Sequence, residues 1–336
     1  MHSPNFLNVE LAPGLTPDDL IFTETAEYEK GFSDYFDAKL RPVLLQENEN
    51  RLACLKETKR RMRKAIPIIA AIFIVAFMAT ARWSTKDNAP FLRIAFFAAA
   101  LTYGWTRMPK INYRQRSKNK ILPIVAGYYG FLTYREESPI LDSFLRDTRI
   151  IPPGDPTKRQ STDHLYGTYR GTPLESWQLT TSRGSGKRSK RLYSGLLIHF
   201  GLKKMLGETT MVKFRQGTSN SALFDFTVQG LEPVSLEDPD FEKLFDVYSG
   251  DQTEARYLLP PDVMQNLKEL SVLFGGVPVD CCFTGQHAFI SIRVQKPLFE
   301  PPPAHKAPIM SNDIHAFLNQ MHHIFRIIED LDIDRR

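Results

Sequence analysis

Two stretches, Ala65–Ala81 (AIPIIAAIFIVAFMATA) and Ala89–Thr106 (APFLRIAFFAAALTYGWT), stand seven residues apart, each walled off by positive charge on its outer side. A helix needs roughly 20 apolar residues to cross a hydrocarbon core, with about 17 as a practical minimum. The first run meets that minimum, and the second does so if Arg93 extends its guanidinium to the interface. Trp83, Tyr103 and Trp105 lie near the ends of the runs, where amphipathic rings favour the headgroup layer. The pattern predicts a two-helix transmembrane hairpin over 65–106, its spans being 65–81 and 89–106. Pro67 predicts a kink in the first helix, while Asn88 and Pro90 predict a capped start for the second.

Charge sets the expected orientation. Lys56, Lys59, Arg60, Arg61, Arg63 and Lys64 precede the first run; Arg107, Lys110, Arg114, Arg116, Lys118 and Lys120 follow the second. The connection carries only Arg82 and Lys86 against Asp87. Cationic flanks resist translocation, so both termini are expected in the cytoplasm of a multi-pass protein. Of these cations, Lys59, Arg60, Arg61, Arg63, Lys64, Arg107, Lys110, Arg114 and Arg116 are the expected contacts with a phospholipid surface. The polar segment ahead of the first run argues against a cleaved signal peptide.

The 336 residues carry a formal charge of +5, and the mean hydropathy of −0.29 makes most of the chain water-facing. The positive balance is concentrated beside the apolar runs, which favours an anionic leaflet over nucleic acid as the partner. Three cysteines (Cys54, Cys281, Cys282) without CxxC spacing fit a reducing compartment and no disulfide framework.

Upstream, residues 1–15 read as loose, and Thr16-Pro17-Asp18-Asp19 reads as a helix start opening a cytoplasmic amphipathic region over 16–64. Phe32, Phe36, Leu40, Val43 and Leu44 form one apolar stripe, on which a protein partner or a second copy of the chain is expected to dock if the stripe is not covered intramolecularly. Pro42 predicts a kink or division near Leu40, followed by a rod from 41 to 81 roughly 60 Å long. Downstream, a juxtamembrane helix is expected within 107–150, with Lys118–Phe144 helical and softened at Gly127 and Gly130. Ile151-Pro-Pro-Gly-Asp-Pro156 then marks a boundary.

Beyond it, the hydrophobic period changes to two. Strands are predicted at 164–170, 174–182, 192–200, 209–215, 222–228, 244–248, 277–283 and 288–294. Helices are predicted at Pro260–Phe274 and from Ser311 or Asn312 onward, with Ile314, Phe317, Leu318, Met321, Ile324, Phe325 and Ile328 on the apolar face. The expected fold class is α+β: an amphipathic helix and hairpin, then an antiparallel-sheet cytoplasmic domain over 151–336 with a C-terminal helix.

Arg183-Gly-Ser-Gly-Lys-Arg-Ser-Lys-Arg191 reads as a hairpin tip whose Arg183, Lys187, Arg188, Lys190 and Arg191 make a candidate ligand or lipid finger. It is not a P-loop, because Thr181 and Arg188 stand where that motif needs Gly and Ser or Thr. Asp251, Glu254 and Arg256 make a candidate structural polar network, or a recognition site for a charged ligand. Cys281 and Cys282 fall on opposite faces of a strand, and His315, His322 and His323 lack further ligands, so neither set predicts a metal site. Ser194 with His199, His164 and Asp163 lacks a nucleophile elbow. No catalytic residue and no cofactor is assigned.

Phe245-Asp-Val-Tyr-Ser-Gly-Asp-Gln-Thr-Glu-Ala-Arg-Tyr-Leu-Leu-Pro-Pro261, followed by Leu267–Phe274-Gly-Gly, resembles the hallmark of an uncharacterised bacterial two-transmembrane family, domain of unknown function 3137. Leu40-Arg41-Pro42, Asp163-His-Leu-Tyr-Gly-Thr-Tyr-Arg-Gly-Thr-Pro-Leu-Glu175 and Ser194-Gly-Leu-Leu197 are similar to the same family, and the likeness runs over about residues 30–330. It implies a bacterial plasma (inner) membrane address and no activity. The expected function is therefore a membrane-anchored cytoplasmic binding or scaffold module. The alternatives are a membrane-tethered enzyme on a lipid-linked or peptide substrate, using Asp251, Glu254 or His164, and an accessory subunit of a membrane transport complex.

Overall fold

A computed structural model describes residues 19–82, 89–138, 140, 144–145, 149–151, 158–215, 228–294, 300–306 and 309–331. The loose terminus at 1–15, the helix start at 16–18, the connection with Trp83 and Lys86, the proline boundary from 152 on and all but the last residue of the strand at 222–228 lie outside them. The chain divides into two compact units. One comprises Met1–Glu24, Gly31–Ile121 and Pro301–Asp313; the other comprises Thr25–Lys30, Leu122–Glu300 and Ile314–Arg336.

In the first unit, a short helix α1 (Phe32–Tyr35) passes through a π-helical turn (Phe36–Leu40) into α2 (Arg41–Arg82). Pro42 offers no N–H and its ring crowds the carbonyl four residues back; the wider π turn ahead of it absorbs that misfit. The interruption expected at Leu40 is thus a bulge, and the rod expected from 41 to 81 runs unbroken through Pro67 to Arg82. Phe32, Phe36 and Leu40 are fully buried, with the Phe22 ring 4.8 Å from Phe32 and 5.4 Å from Phe36. The second long helix, α3 (Ala89–Gly127), runs antiparallel to α2: Lys120 Nζ meets Glu47 Oε1 at 2.7 Å, and farther along Arg61 donates to the Trp105 carbonyl at 3.3 Å. Arg51 is 1% exposed. Its guanidinium donates to Asn48 Oδ1 at 3.1 Å and to the Lys306 carbonyl at 3.0 Å, which satisfies a charge that burial alone would penalise.

The transmembrane part of the expected fold class is corrected here. No helix among the described residues is long and apolar enough to cross a membrane. The run at 65–81 gives about 25 Å at 1.5 Å per residue, short of a hydrocarbon core of about 30 Å, and Arg93 interrupts the second run. Both helices are chiefly polar rods that carry an apolar end.

The second unit is built on one sheet. Among the described residues nine strands pair antiparallel throughout: β1 (Leu132–Glu137), β2 (Gln160–Tyr169), β3 (Thr172–Arg183), β4 (Lys190–Gly201), β5 (Thr210–Phe214), β6 (Glu232–Val234), β7 (Phe245–Ser249), β8 (Val279–Thr284) and β9 (His287–Ile292). Their order is β1-β2-β3-β4-β9-β8-β5-β7-β6, so the β8–β9 hairpin is inserted between β4 and β5. Helices α4 (Pro239–Leu244), α5 (Gln252–Leu258), α6 (Pro261–Leu273) and α7 (Ser311–Leu331) complete it. The long helix expected up to Phe144 ends instead at Gly127, and Leu132–Glu137 is the edge strand β1. Gly130, at φ +73°, takes the left-handed conformation that turns the chain from helix to strand.

Alternation sorts the sheet into two faces. Trp177, Leu179, Leu197, Met211, Cys282 and Phe289 share one face with Ile140, Leu145, Ile150 and Ile151 packed on it. On the other face, Phe317 of α7 shares a small cavity with Ser176, Gln178 and Leu196, and the buried stripe of α7 lies there.

Candidate functional site

The apolar end of the α2/α3 hairpin has an inverted pattern. Among its described residues the buried positions are small: Thr58, Ala65 and Ala76 on α2, Ala95 and Thr106 on α3. Their spacings of seven and eleven residues keep them on one stripe of each helix, so the helices meet through small side chains. The large apolar side chains point away: Ile66, Phe73, Ile74, Val75 and Met78 on α2 and Ile94, Phe96 and Leu101 on α3 are exposed, with Phe77 at 73% and Phe97 at 72%. A helix pair that faces water does the reverse, burying its largest apolar groups. The sequence reading recognised the apolar runs but missed the seam, whose signal was the recurrence of Ala and Thr at those intervals.

The basic collar at the mouth of the hairpin divides into two sets. Arg61 is engaged: Nε meets Glu57 Oε1 at 2.8 Å, and its guanidinium lies 5.0 Å from the Trp105 ring centroid. Arg60 reaches the other Glu57 oxygen at 2.8 Å. Hydrogen bonds from Arg61 and then Arg60 hold the Glu57 carboxyl below its usual pKa. Arg107 bonds the Tyr103 hydroxyl and covers its ring at 4.9 Å, while Arg114 donates to the Pro301 carbonyl at 2.9 Å. Lys59, Arg63, Lys64 and Arg116 are exposed, and Lys110 is half-buried. Glu57, which organises two of the cations, was absent from the sequence-based set.

The finger is the tip of the β3–β4 hairpin, where Arg183 stands opposite Lys190. Arg183, Arg188, Lys190 and Arg191 are exposed, whereas the side chain of Lys187 lies outside the described set. Gly184 sits at φ +87°, and a Cβ there would come within 2.6 Å of the Arg188 carbonyl oxygen, so the turn needs glycine. Lys158 donates to the Gly184 carbonyl and brings a further cation to the tip.

Asp251, Glu254 and Arg256 are not brought to one point. Asp251 caps α5, accepting from the amides of Thr253 at 2.8 Å and Glu254 at 3.2 Å. The Glu254 carboxylate accepts from the amides of Gly207 and Glu208 at 3.1 and 3.0 Å. Arg256 turns instead to Gln252 Oε1 at 3.5 Å. Both carboxylates are thus occupied by backbone.

The remaining chemistry-bearing residues are dispersed. Cys281 and Cys282 are free and buried; burial pushes both thiols up, Cys282 to about 12. His315 Nδ1 meets the buried Glu29 carboxylate at 2.5 Å. Burial raises the Glu29 pKa, but the bonds from His315 and Thr25 outweigh it and the group lies below its usual range. His322 stacks on Tyr28, and His323 faces Glu269 at 3.8 Å. Among the described residues, no three His, Cys, Asp or Glu side chains could hold a metal ion. Ser194, Asp163, His164 and His199 are each engaged elsewhere: Ser194 with Thr180 at 3.5 Å, Asp163 with Tyr134 at 3.0 Å and His199 with His287 at 3.0 Å. His164 stacks on Trp177 at 4.8 Å. A polar cluster that the sequence did not suggest joins Lys213 to Asp280 at 3.0 Å and Arg293 to the same oxygen at 3.3 Å, with Asp280 also accepting the Phe214 amide.

No curated protein matches the chain. One solved structure that does is the crystal structure of the mycobacterial trehalose monomycolate transport factor A, TtfA. It is 12% identical over 64% of this chain and 93% of that one, with a TM-score of 0.31, a likeness too slight to carry an argument. Residues 191–333 match the family described as "Protein of unknown function (DUF3137)", so the stretch from β4 to the end of α7 carries that domain of unknown function.

Proposed function

We propose that this chain is a binding or scaffold module anchored to a phospholipid bilayer. The apolar end of the α2/α3 hairpin rests among the acyl chains, and the α+β unit is the part presented to partners. One observation carries this: the hairpin buries alanine and threonine while exposing Phe77, Phe97 and their apolar neighbours. That surface lowers its free energy by leaving water, and lipid accepts apolar side chains on all sides of a helix pair. The anchor is a surface immersed in lipid, not a span. Exposed Lys59, Arg63, Lys64 and Arg116 next to it favour an anionic leaflet, which supports the cytoplasmic face of a bacterial inner membrane with both termini on that side. Asp251 and Glu254, the carboxylates an enzyme would draw on, are already used by backbone amides, which weighs against the alternative of a membrane-tethered enzyme. Flotation of the purified chain with vesicles tests the reading. It is expected to float with zwitterionic vesicles and more completely with anionic ones; a chain that stays monodisperse in buffer and ignores both would overturn it.

A further inference from the structure

The β3–β4 tip carries a concentration of positive charge. Between Glu175 and Glu208 the sequence has no acidic residue, yet it carries Arg183, Lys187, Arg188, Lys190, Arg191, Lys203 and Lys204. Strand pairing sets Arg183 directly opposite Lys190, and like charges in that position repel. Two strands of twelve residues each lead to the tip, with Arg188, Lys190 and Arg191 exposed on it. The glycine at 184 fixes the turn that gathers them, and Lys158 reaches the same turn. An anionic surface opposite the tip attracts the exposed Arg188, Lys190 and Arg191 and releases its own counterions.

We propose that the tip is a docking surface for the phosphate-bearing headgroups of an anionic bilayer, through which the α+β unit makes a second, salt-sensitive membrane contact. The inference rests on the reading of the hairpin as a lipid anchor, because the anchor is what commits the tip to a lipid surface over other polyanions. The finger is itself a run of trypsin sites, so proteolysis reads its exposure directly. The whole chain is bound to phosphatidylcholine vesicles, or to vesicles with about one-third phosphatidylglycerol, and cleavage within 183–191 is timed against cleavage at the exposed Lys243. The expected result is about tenfold slower cleavage of the tip on the anionic vesicles, restored by salt near 1 M, where the Debye length falls to about 3 Å. Equal rates on the two vesicle types overturn the proposal, as does equal protection by free inorganic phosphate on phosphatidylcholine vesicles, which would assign the tip to a soluble anion. Failure of the anchor shows separately, as a chain that does not float with phosphatidylcholine vesicles at all.

Discussion

At the scale of single residues, two positions show how tightly the sheet is constrained. Gly195 in β4 has no room for a side chain: a Cβ there would lie 2.2 Å from the Ile292 carbonyl oxygen of β9 and 2.7 Å from the Tyr193 hydroxyl. Neither strand can retreat, because β4 pairs with β3 on its other side and β9 with β8. Gly195→Ala is expected to destabilise the α+β unit by about 1–3 kcal/mol, toward the upper end, read from the urea midpoint at unchanged slope. His164 is the second case. Its ring lies flat against Trp177, both ring nitrogens are buried without a partner among the described residues, and burial, then the Arg135 cation, lowers its pKa from 6.5 to about 4. Between those values the unfolded chain binds a proton that the folded chain refuses. The stability contributed by a neutral His164 is therefore full above about pH 6.5 and is lost as the pH falls toward 4. His164→Phe keeps the stacked ring and removes the proton uptake, so the variant is expected to be at least as stable at pH 7 and to lose stability less steeply on acidification. Unfolding curves across that range check it; an unchanged slope would sink it.

At the scale of elements, the stretch from Asp251 to Arg256 in and ahead of α5 separates carboxylates that hold structure from an arginine that does not. Asp251→Ala removes a helix cap and is expected to cost about 1 kcal/mol. Glu254→Ala frees two amides of the 207–208 segment and is expected to cost about 1–3 kcal/mol. Exposed Arg256, which among the described residues makes a long bond to Gln252, is expected to stay within about 0.5 kcal/mol when replaced by Ala. Thermal melts rank the three, and a destabilised Arg256→Ala equal to Glu254→Ala would show the cluster acting as a unit. The same region marks how far the sequence was legible. Asp251 ahead of a helical turn is a local signal, readable because a cap reaches only two or three residues. The reach of Glu254 to residues 207 and 208 depends on β5 pairing with β7, which no local pattern encodes. Period-two alternation disclosed β2, β3, β4, β5, β7, β8 and β9 within a few residues at each end. It failed at β1, where Leu132-Thr-Tyr-Arg-Glu-Glu137 offers a single buried residue and follows a helical run, and at β6, three residues long. The short α4 and α5 fell between the predicted elements and were not predicted. Among the candidate cations, exposure was the readable property; Glu57 four residues ahead of Arg61 is a local pair, but the contact of Arg61 with Trp105 was not readable, since it takes two helices to form it.

At the scale of the whole molecule, two opposite burial patterns are written into one chain. The α+β unit follows the rule of water, with Ile290, Ile292, Phe317 and Leu318 buried and cations such as Arg188 and Lys243 exposed. The apolar end of the hairpin reverses it, exposing phenylalanine and isoleucine while Ala95 is 2% exposed. Exposed apolar patches beyond a few hundred Å² are rare on monomers in water and mark an interaction surface. Composition alone conceals the contrast, because long charged segments of the same helices offset the apolar end in any average. Separating the two halves of the contrast gives the last prediction. Phe77→Asp with Phe97→Asp changes exposed positions only, so the α+β unit is expected to melt at its original temperature. Each aspartate brought into lipid carries a penalty of about 3 kcal/mol on insertion scales, which would lower vesicle partitioning by at least a hundredfold for the pair. The double variant is thus expected to remain in the supernatant where the parent floats. A parent and variant that partition alike would place the exposed phenylalanines in contact with something other than lipid, and a variant that unfolds would mean that those side chains pack against protein.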